Sequence, residues 1–237
     1  MDVCEVNIHD VGIFTNGVTI GNYVVILTSA MASAFVPQIQ EYYRCGHLRK
    51  FRYLFYLDVL ISWCCIVLFS IWMKEIYTVL VRNEELYTAY SIAQLICFAN
   101  LIYPFYHFTS SIISIQKKTQ HILWLVFVPG VLCVVLNLIF IPIYGYKSAV
   151  VISIVAYWSQ YLLPLVVPYL REVTKEWIGG IWKLPVMLAF FVLSILICQL
   201  LSNGTAIYKI LLSLALVGVS VYLLVKIKTV LNPNDKQ

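Results

Sequence analysis

The chain has 237 residues, a mean hydropathy of +0.88, 62% hydrophobic residues and only 11% charged ones. Soluble domains carry about 25% charged residues, so this composition excludes one. The net charge of +5 lies in short segments between apolar runs, which suits anionic lipid head groups and implies no nucleic-acid partner.

Seven apolar runs, at about 11–36, 53–73, 89–115, 121–143, 148–169, 184–202 and 206–225, are each long enough to cross a bilayer. A crossing takes roughly 20 apolar helical residues. The expected fold class is therefore all-α, a polytopic integral membrane protein with about seven transmembrane helices. Alternating the loops puts Arg44, Arg49, Lys50, Arg52, Lys117, Lys118, Arg171, Lys175, Lys183, Lys226, Lys228 and Lys236 on one side. The other side receives only Lys74, Arg82, Lys147 and Lys209. The positive-inside rule then predicts an outer N-terminus and an inner C-terminus. Asp2, Glu5 and Asp10, with no Lys or Arg among the first ten residues, agree. The first run lacks the basic flank and cleavage site of a signal peptide, so it is expected to remain as a helix.

The first run carries Thr15, Asn16, Thr19, Asn22, Ser29 and Ser33 mostly at helical three-, four- and seven-residue steps, which places them on one broad face. That face is either glue between helices or the wall of a hydrated cavity, and in both cases it avoids lipid. Gly17 and Gly21 lie on another face, where a neighbouring helix can approach closely. In the second run Asp58 follows the bases Arg49, Lys50 and Arg52. It reads as an interfacial acid paired with them, or as a coupling-ion or gating carboxylate. The segment 74–88 mixes charge and apolar residues and predicts an amphipathic helix on the outer surface. Segments 37–52 and 170–183 also read as helical.

In the third run Asn100, Tyr103, His107, Ser110, Ser114 and Lys117 align at steps of three or four. This polar track ends in Lys117 and Lys118. It suits an anionic ligand approaching from inside, although the two lysines equally mark an inner hairpin. Ser153, Tyr157, Gln160 and Tyr161 make a weaker track in the fifth run. Pro104 and Pro129 predict kinks inside spans, while Pro37, Pro142, Pro164, Pro168 and Pro185 sit at or near span ends. Of the seven Cys, five lie in apolar runs, and no Cys/His grouping has metal-ligand spacing. No catalytic fingerprint, cofactor motif or metal site is evident, and an enzyme is not expected.

The segment from Val135 to Ala149, VLNLIFIPIYGYKSA, resembles the N-L-x-x-I-P-x-Y-G-x-x-G-A-A hairpin of polysaccharide-biosynthesis flippases. These belong to the multidrug/oligosaccharidyl-lipid/polysaccharide exporter superfamily. In that hairpin Pro142 is expected to stop one helix and Tyr144-Gly145 to turn outside the membrane. Asp10 to Asn16 (DVGIFTN) is similar to the family's helix start. Ala34 to Pro37 resembles its helix end before a basic amphipathic linker, Glu75 to Tyr90 its outer loop, and Ile115 to Thr119 its basic turn. Departures are Ser148-Ala-Val for Gly-Ala-Ala, and Phe14 for the usual Tyr.

The resemblance implies a bacterial inner-membrane, multi-pass protein that flips undecaprenyl-diphosphate-linked oligosaccharide for O-antigen or other surface polysaccharide. Its partners would be that lipid-linked oligosaccharide, membrane lipids and other polysaccharide-assembly proteins. Family members typically have about twelve to fourteen helices in two lobes. In that register residues 1–169 correspond to helices eight to twelve of a partial C-terminal lobe, and 170–237 to two additional helices and a short tail. A missing N-terminal lobe and a missing first helix of the C-terminal lobe are then expected, as from a truncated gene product, a split gene or an internal start. Asn16, Thr19, Asn22, Asn100 and His107 are the implied substrate-binding cavity residues, with Lys117 a peripheral anion contact. The rival readings are a membrane-embedded oligosaccharide polymerase or glycosyltransferase, which would need an acid or Arg pair in an outer loop, and a non-transporting remnant.

Overall fold

The computed structural model describes residues 8–81, 84–178, 192, 194 and 206–231, and these are helical apart from short turns. In chain order the helices are α1 (Ile8–Arg44), α2 (Leu48–Ile71), α3 (Met73–Leu80), α4 (Tyr90–Ala99), α5 (Tyr103–Ile115), α6 (Gln120–Tyr144), α7 (Lys147–Val166), α8 (Pro168–Ile178) and α9 (Ala206–Leu231). A 3₁₀ turn, Glu84–Ala89, leads into α4, and another, Asn100–Ile102, joins α4 to α5. Four stretches are long and apolar enough to cross a membrane: Asp10–Arg44, Leu48–Ile71, Glu85–Ile115 and Gln120–Tyr144. A fifth results if α7 and α8, bent by 79°, count as one broken span. The expected run at 184–202 lies outside the described residues save for 192 and 194, as does Lys183.

Several local expectations need correction. Pro37 does not end α1, which runs on to Arg44. The expected basic linker is therefore a continuation of the helix and a turn at Cys45–His47, where Gly46 has φ +71°. Pro142 does not stop α6 either. The helix ends two residues later, where Gly145 takes φ +74°, a conformation that glycine adopts without a Cβ penalty. Pro129 likewise lies inside α6. Pro104 behaves as expected of a helix-breaking residue: it opens α5 directly after the 3₁₀ turn, where its missing N–H costs little. Val167 is extended because it precedes Pro168, and this terminates α7.

The Glu85–Ile115 span is central, with 61% of its most apolar window buried, whereas the window of α6 is only 11% buried. The approach of α1 to α4 is close. A Cβ on Gly17 would sit 2.7 Å from Ile92 Cγ2, and one on Gly21 would sit 2.7 Å from the Ala93 carbonyl oxygen. The Gly17/Gly21 face thus packs as its spacing predicts.

Two larger apolar cores form along the bundle, beside a small one of Ile113, Leu125 and Leu170. One gathers Ile13, Ile20 and Val24 of α1, Trp63, Ile66 and Ile71 of α2, Tyr77 of α3, and Ile92 and Ile96 of α4. The other gathers Ile39, Phe51, Phe55, Phe105, Phe108, Ile112 and Tyr161. Phe108 meets Phe51 and Phe55 edge-on at 5.5 and 5.3 Å, each such pair adding about 0.5–1.5 kcal/mol beyond area burial.

Helix ends make polar and ionic contacts at both ends of the bundle. At one end Gln116, in the α5–α6 turn, donates to the Tyr43 hydroxyl at 2.7 Å and accepts from the Tyr169 hydroxyl. His121 stacks on Tyr169 at 4.0 Å, and the Lys118 ammonium lies 4.5 Å from the same ring. At the other end Lys209 of α9 donates to Glu75 of α3 at 2.6 Å, and the Trp72 indole donates to Ser213 at 3.2 Å. The expected amphipathic helix at 74–88 is present as α3 and the following 3₁₀ turn, with Met73 and Tyr77 buried and Lys74 and Thr78 exposed.

Candidate functional site

A cavity of about 740 Å³ opens between α1, the α4–α5 junction, α6 and α7. Helical periodicity delivers its polar walls. Thr19, Asn22, Tyr23 and Ile26 come from one face of α1, Asn100, Tyr103 and Tyr106 from the broken third span, and Tyr157 and Gln160 from α7. A smaller cavity of about 280 Å³ shares Val126, Tyr157 and Gln160 with it and adds Ser153 and Cys133. The larger volume falls in the range of about 300–1,000 Å³ usual for small-ligand sites.

The 3₁₀ turn matters to this geometry. It tightens the chain where α-helical hydrogen bonding lapses and sets Asn100 against α1. The Asn100 amide donates to Asn22 Oδ1 at 3.1 Å and to the Ile96 carbonyl at 3.0 Å. At Asn22 both alternatives left by the spacing hold, since it bonds across to Asn100 and lines the cavity. The hydroxyls of the α1 stripe meet their own helix first: Thr19 donates to the Thr15 carbonyl at 2.8 Å, and Ser33 to the Ser29 carbonyl at 2.8 Å. Their lone pairs remain as acceptors.

Of the expected site residues, Thr19, Asn22 and Asn100 line the cavity together. Asn16, His107 and Lys117 are not among its walls. Asn16 is half-buried one turn before Thr19, with its Oδ1 unpartnered. His107 is half-buried and stacks on Tyr103 with ring centroids 6.2 Å apart, and its Nδ1 has no partner. Lys117 is exposed in the α5–α6 turn with φ +57°. There its N–H bonds the Ser114 carbonyl and that of Lys118 bonds the Ile113 carbonyl, a Schellman closure of α5. It lies about 16 Å along the helix from Tyr106, so it caps the helix at a distance from the cavity. Tyr23 and Tyr106 line the cavity and were not singled out from the sequence. Each stands one turn from a residue that was, so the same helical steps reach them.

Asp58 is also corrected. It is wholly buried, and neither carboxylate oxygen accepts a hydrogen bond, so it is not an interfacial acid paired with Arg49, Lys50 or Arg52. No group of three or more potential metal ligands occurs among the described residues. The cavity walls offer amides, hydroxyls and aromatic faces, and no Lys, Arg, Asp or Glu.

Fold and site together define a class: an all-helical protein with several apolar helices long enough to cross a membrane and, between helices, a cavity whose mainly apolar walls carry amides, hydroxyls and tyrosine rings. No protein family model, curated protein or solved structure matches the chain.

Proposed function

We propose that the chain is part of a flippase that carries a lipid-linked oligosaccharide across the bacterial inner membrane, with seven spans and an outer N-terminus. The observation that carries this reading is the cavity lined by Thr19, Asn22, Asn100, Tyr103, Tyr106, Tyr157 and Gln160. Amides and hydroxyls supply neutral hydrogen-bonding partners for sugar hydroxyls, and tyrosine rings supply flat apolar faces with a polar tip. The site lies between apolar helices, so a saccharide in it travels while its lipid tail stays in the bilayer. Transport of this kind needs no covalent step, only alternating access around a hydrated site. The hairpin at Val135–Ala149 and the charge bias of the loops support the same reading. In the family register this chain would supply most of the C-terminal lobe.

The test is glycan export in a strain lacking its own flippase, expressing the chain together with a flippase N-terminal lobe. Surface glycan should return. Asn22→Leu or Asn100→Leu should then lower export by about tenfold, since losing one buried hydrogen bond costs about 1 kcal/mol and leaves its partner unsatisfied. No export from chain shown to be folded in the membrane would remove the flippase reading.

A further inference from the structure

The two larger apolar cores meet along α2, where Val59 packs against both. Along α2, Phe51, Leu54 and Phe55 belong to one core, and Trp63, Ile66 and Val67 to the other. Asp58 and Ser62, one helical turn apart, lie between them and are both buried. Asp58 stands about 9 Å along α2 from Arg52, inside the apolar run that begins at about residue 53. Both of its oxygens lack a hydrogen-bond partner, as do the Ser62 hydroxyl and the buried Thr109 hydroxyl on α5. Arg52, six residues back, is turned away by about 120° around the helix. The half of the bundle that holds Asp58 leads to the cavity through helix packing: α2 packs against α5 and against the Asn100–Ile102 turn before it, and Tyr103 at the start of α5 lines the large cavity and stacks on His107.

We propose that Asp58 is the carboxylate of a monovalent-cation site, taking a sodium ion or a proton that arrives from the large cavity past Tyr103. A bare carboxylate in such surroundings is far costlier than one whose charge is neutralised. An aspartate kept only for packing would have its lone pairs used, because buried polar groups in folded proteins are hydrogen-bonded. Here all of them are idle. The neighbouring hydroxyl of Ser62 supplies a further neutral oxygen on the same helix. Divalent ions demand several carboxylates or carbonyls, and Asp58 belongs to no group of three or more His, Cys, Asp or Glu among the described residues. Acids at membrane depth face cavities and mark ion pathways, and the link through Tyr103 to the cavity fits that pattern. The binding of the cation stands without the transport reading; what the cation drives rests on it.

The experiment uses the whole chain in lipid nanodiscs. Infrared difference spectra are taken between acidic and alkaline buffer, with choline or sodium as the only salt, and radioactive sodium binding is measured in parallel. Wild type should show a protonated-carboxyl band that disappears on raising the pH, and Asp58→Asn should lack it. Saturable sodium uptake that competes with acid identifies the sodium form of the site. A band that titrates identically in choline and sodium identifies the proton form. For a sodium site, Ser62→Ala should weaken binding about tenfold. If Asp58→Asn fails to fold, Asp58→Glu decides the matter, because it keeps the charge and moves the band. Folded wild type with neither saturable sodium nor a titrating band assigned to Asp58 overturns the proposal. Cation binding alongside undisturbed glycan export in Asp58→Asn would leave the site standing and deny it a part in transport. Failed export by wild type would instead remove the transport reading alone.

Discussion

Adding one methyl group at Gly21 should separate two helices. The Cβ would lie 2.7 Å from the Ala93 carbonyl oxygen and 2.9 Å from Ile96 Cβ. Neither is the far end of a flexible side chain, so α1 and α4 must move apart rather than let a rotamer swing away. Overpacking of this kind costs about 1–3 kcal/mol. In a helix, Gly→Ala also gains up to about 1 kcal/mol of propensity. Gly12 isolates that second effect, because a Cβ there meets nothing within 4 Å. Gly12→Ala should therefore be neutral or slightly stabilising, and Gly21→Ala should be destabilising by about 1–2 kcal/mol net. Displacing α4 also strains the Cys97 thiol contact to the Gly21 carbonyl, 3.3 Å away, and the neighbouring Asn100–Asn22 bond. The assay is reversible unfolding of the purified chain in bicelles, with both variants measured side by side. Equal stability of Gly21→Ala and Gly12→Ala would refute the close approach of α1 to α4, and with it the placement of Asn100 against α1.

The pair at the opposite end of α2 from Asp58's basic neighbours predicts an asymmetry. Lys209 is 2% exposed and Glu75 39%, so Glu75→Gln strands a wholly buried ammonium whereas Lys209→Met leaves the carboxylate of a partly exposed side chain. Glu75→Gln should cost about 1–3 kcal/mol and more than Lys209→Met; unfolding of both single variants and the double variant checks the order. Orientation is tested by thiol labelling in intact cells carrying Cys4→Ser: exposed Cys45 should resist a membrane-impermeant reagent, and Thr78→Cys with Cys45 also replaced by Ser should react with it. The reverse pattern would invert the topology and remove the family register.

Periodicity made much of this legible. Thr19 and Asn22, Asn100 and Tyr103, and Tyr157 and Gln160 were grouped within their own helices by three- and four-residue steps, and the structure brings those three faces around one cavity. Helical spacing tells which residues share a face, but not which faces meet, so the Asn22–Asn100 bond required coordinates. The errors have local causes. Pro37 and Pro142 were read as helix ends, yet a proline inside a helix removes a single hydrogen bond and bends the helix without having to end it. Asp58 was read by its nearness in sequence to Arg49–Arg52. Six residues is almost two turns, which separates it in height and rotation from the nearest of those bases.

The polar groups inside this bundle differ in how they meet their hydrogen-bonding needs, and that difference orders them by meaning. Thr19, Ser29, Ser33 and Ser153 bond carbonyls of their own helices, which makes a hydroxyl tolerable in hydrocarbon without requiring any partner. Asn22 and Asn100 bond across helices, which fixes how the third span sits on the first. Asn16 Oδ1, His107 Nδ1 and both oxygens of Asp58 bond nothing. Leaving such groups idle at membrane depth costs on the order of several kcal/mol each, a large share of the total stability of about 5–15 kcal/mol typical of a folded protein. Packing alone therefore gives no reason to keep them. Water in the cavity, a cation at Asp58 or a polar ligand beside Asn22 would each supply the missing partner, and the first two are small enough to be present before any ligand arrives. Unsatisfied groups, more than exposed or charged ones, are accordingly where substitutions should separate function from folding in this protein.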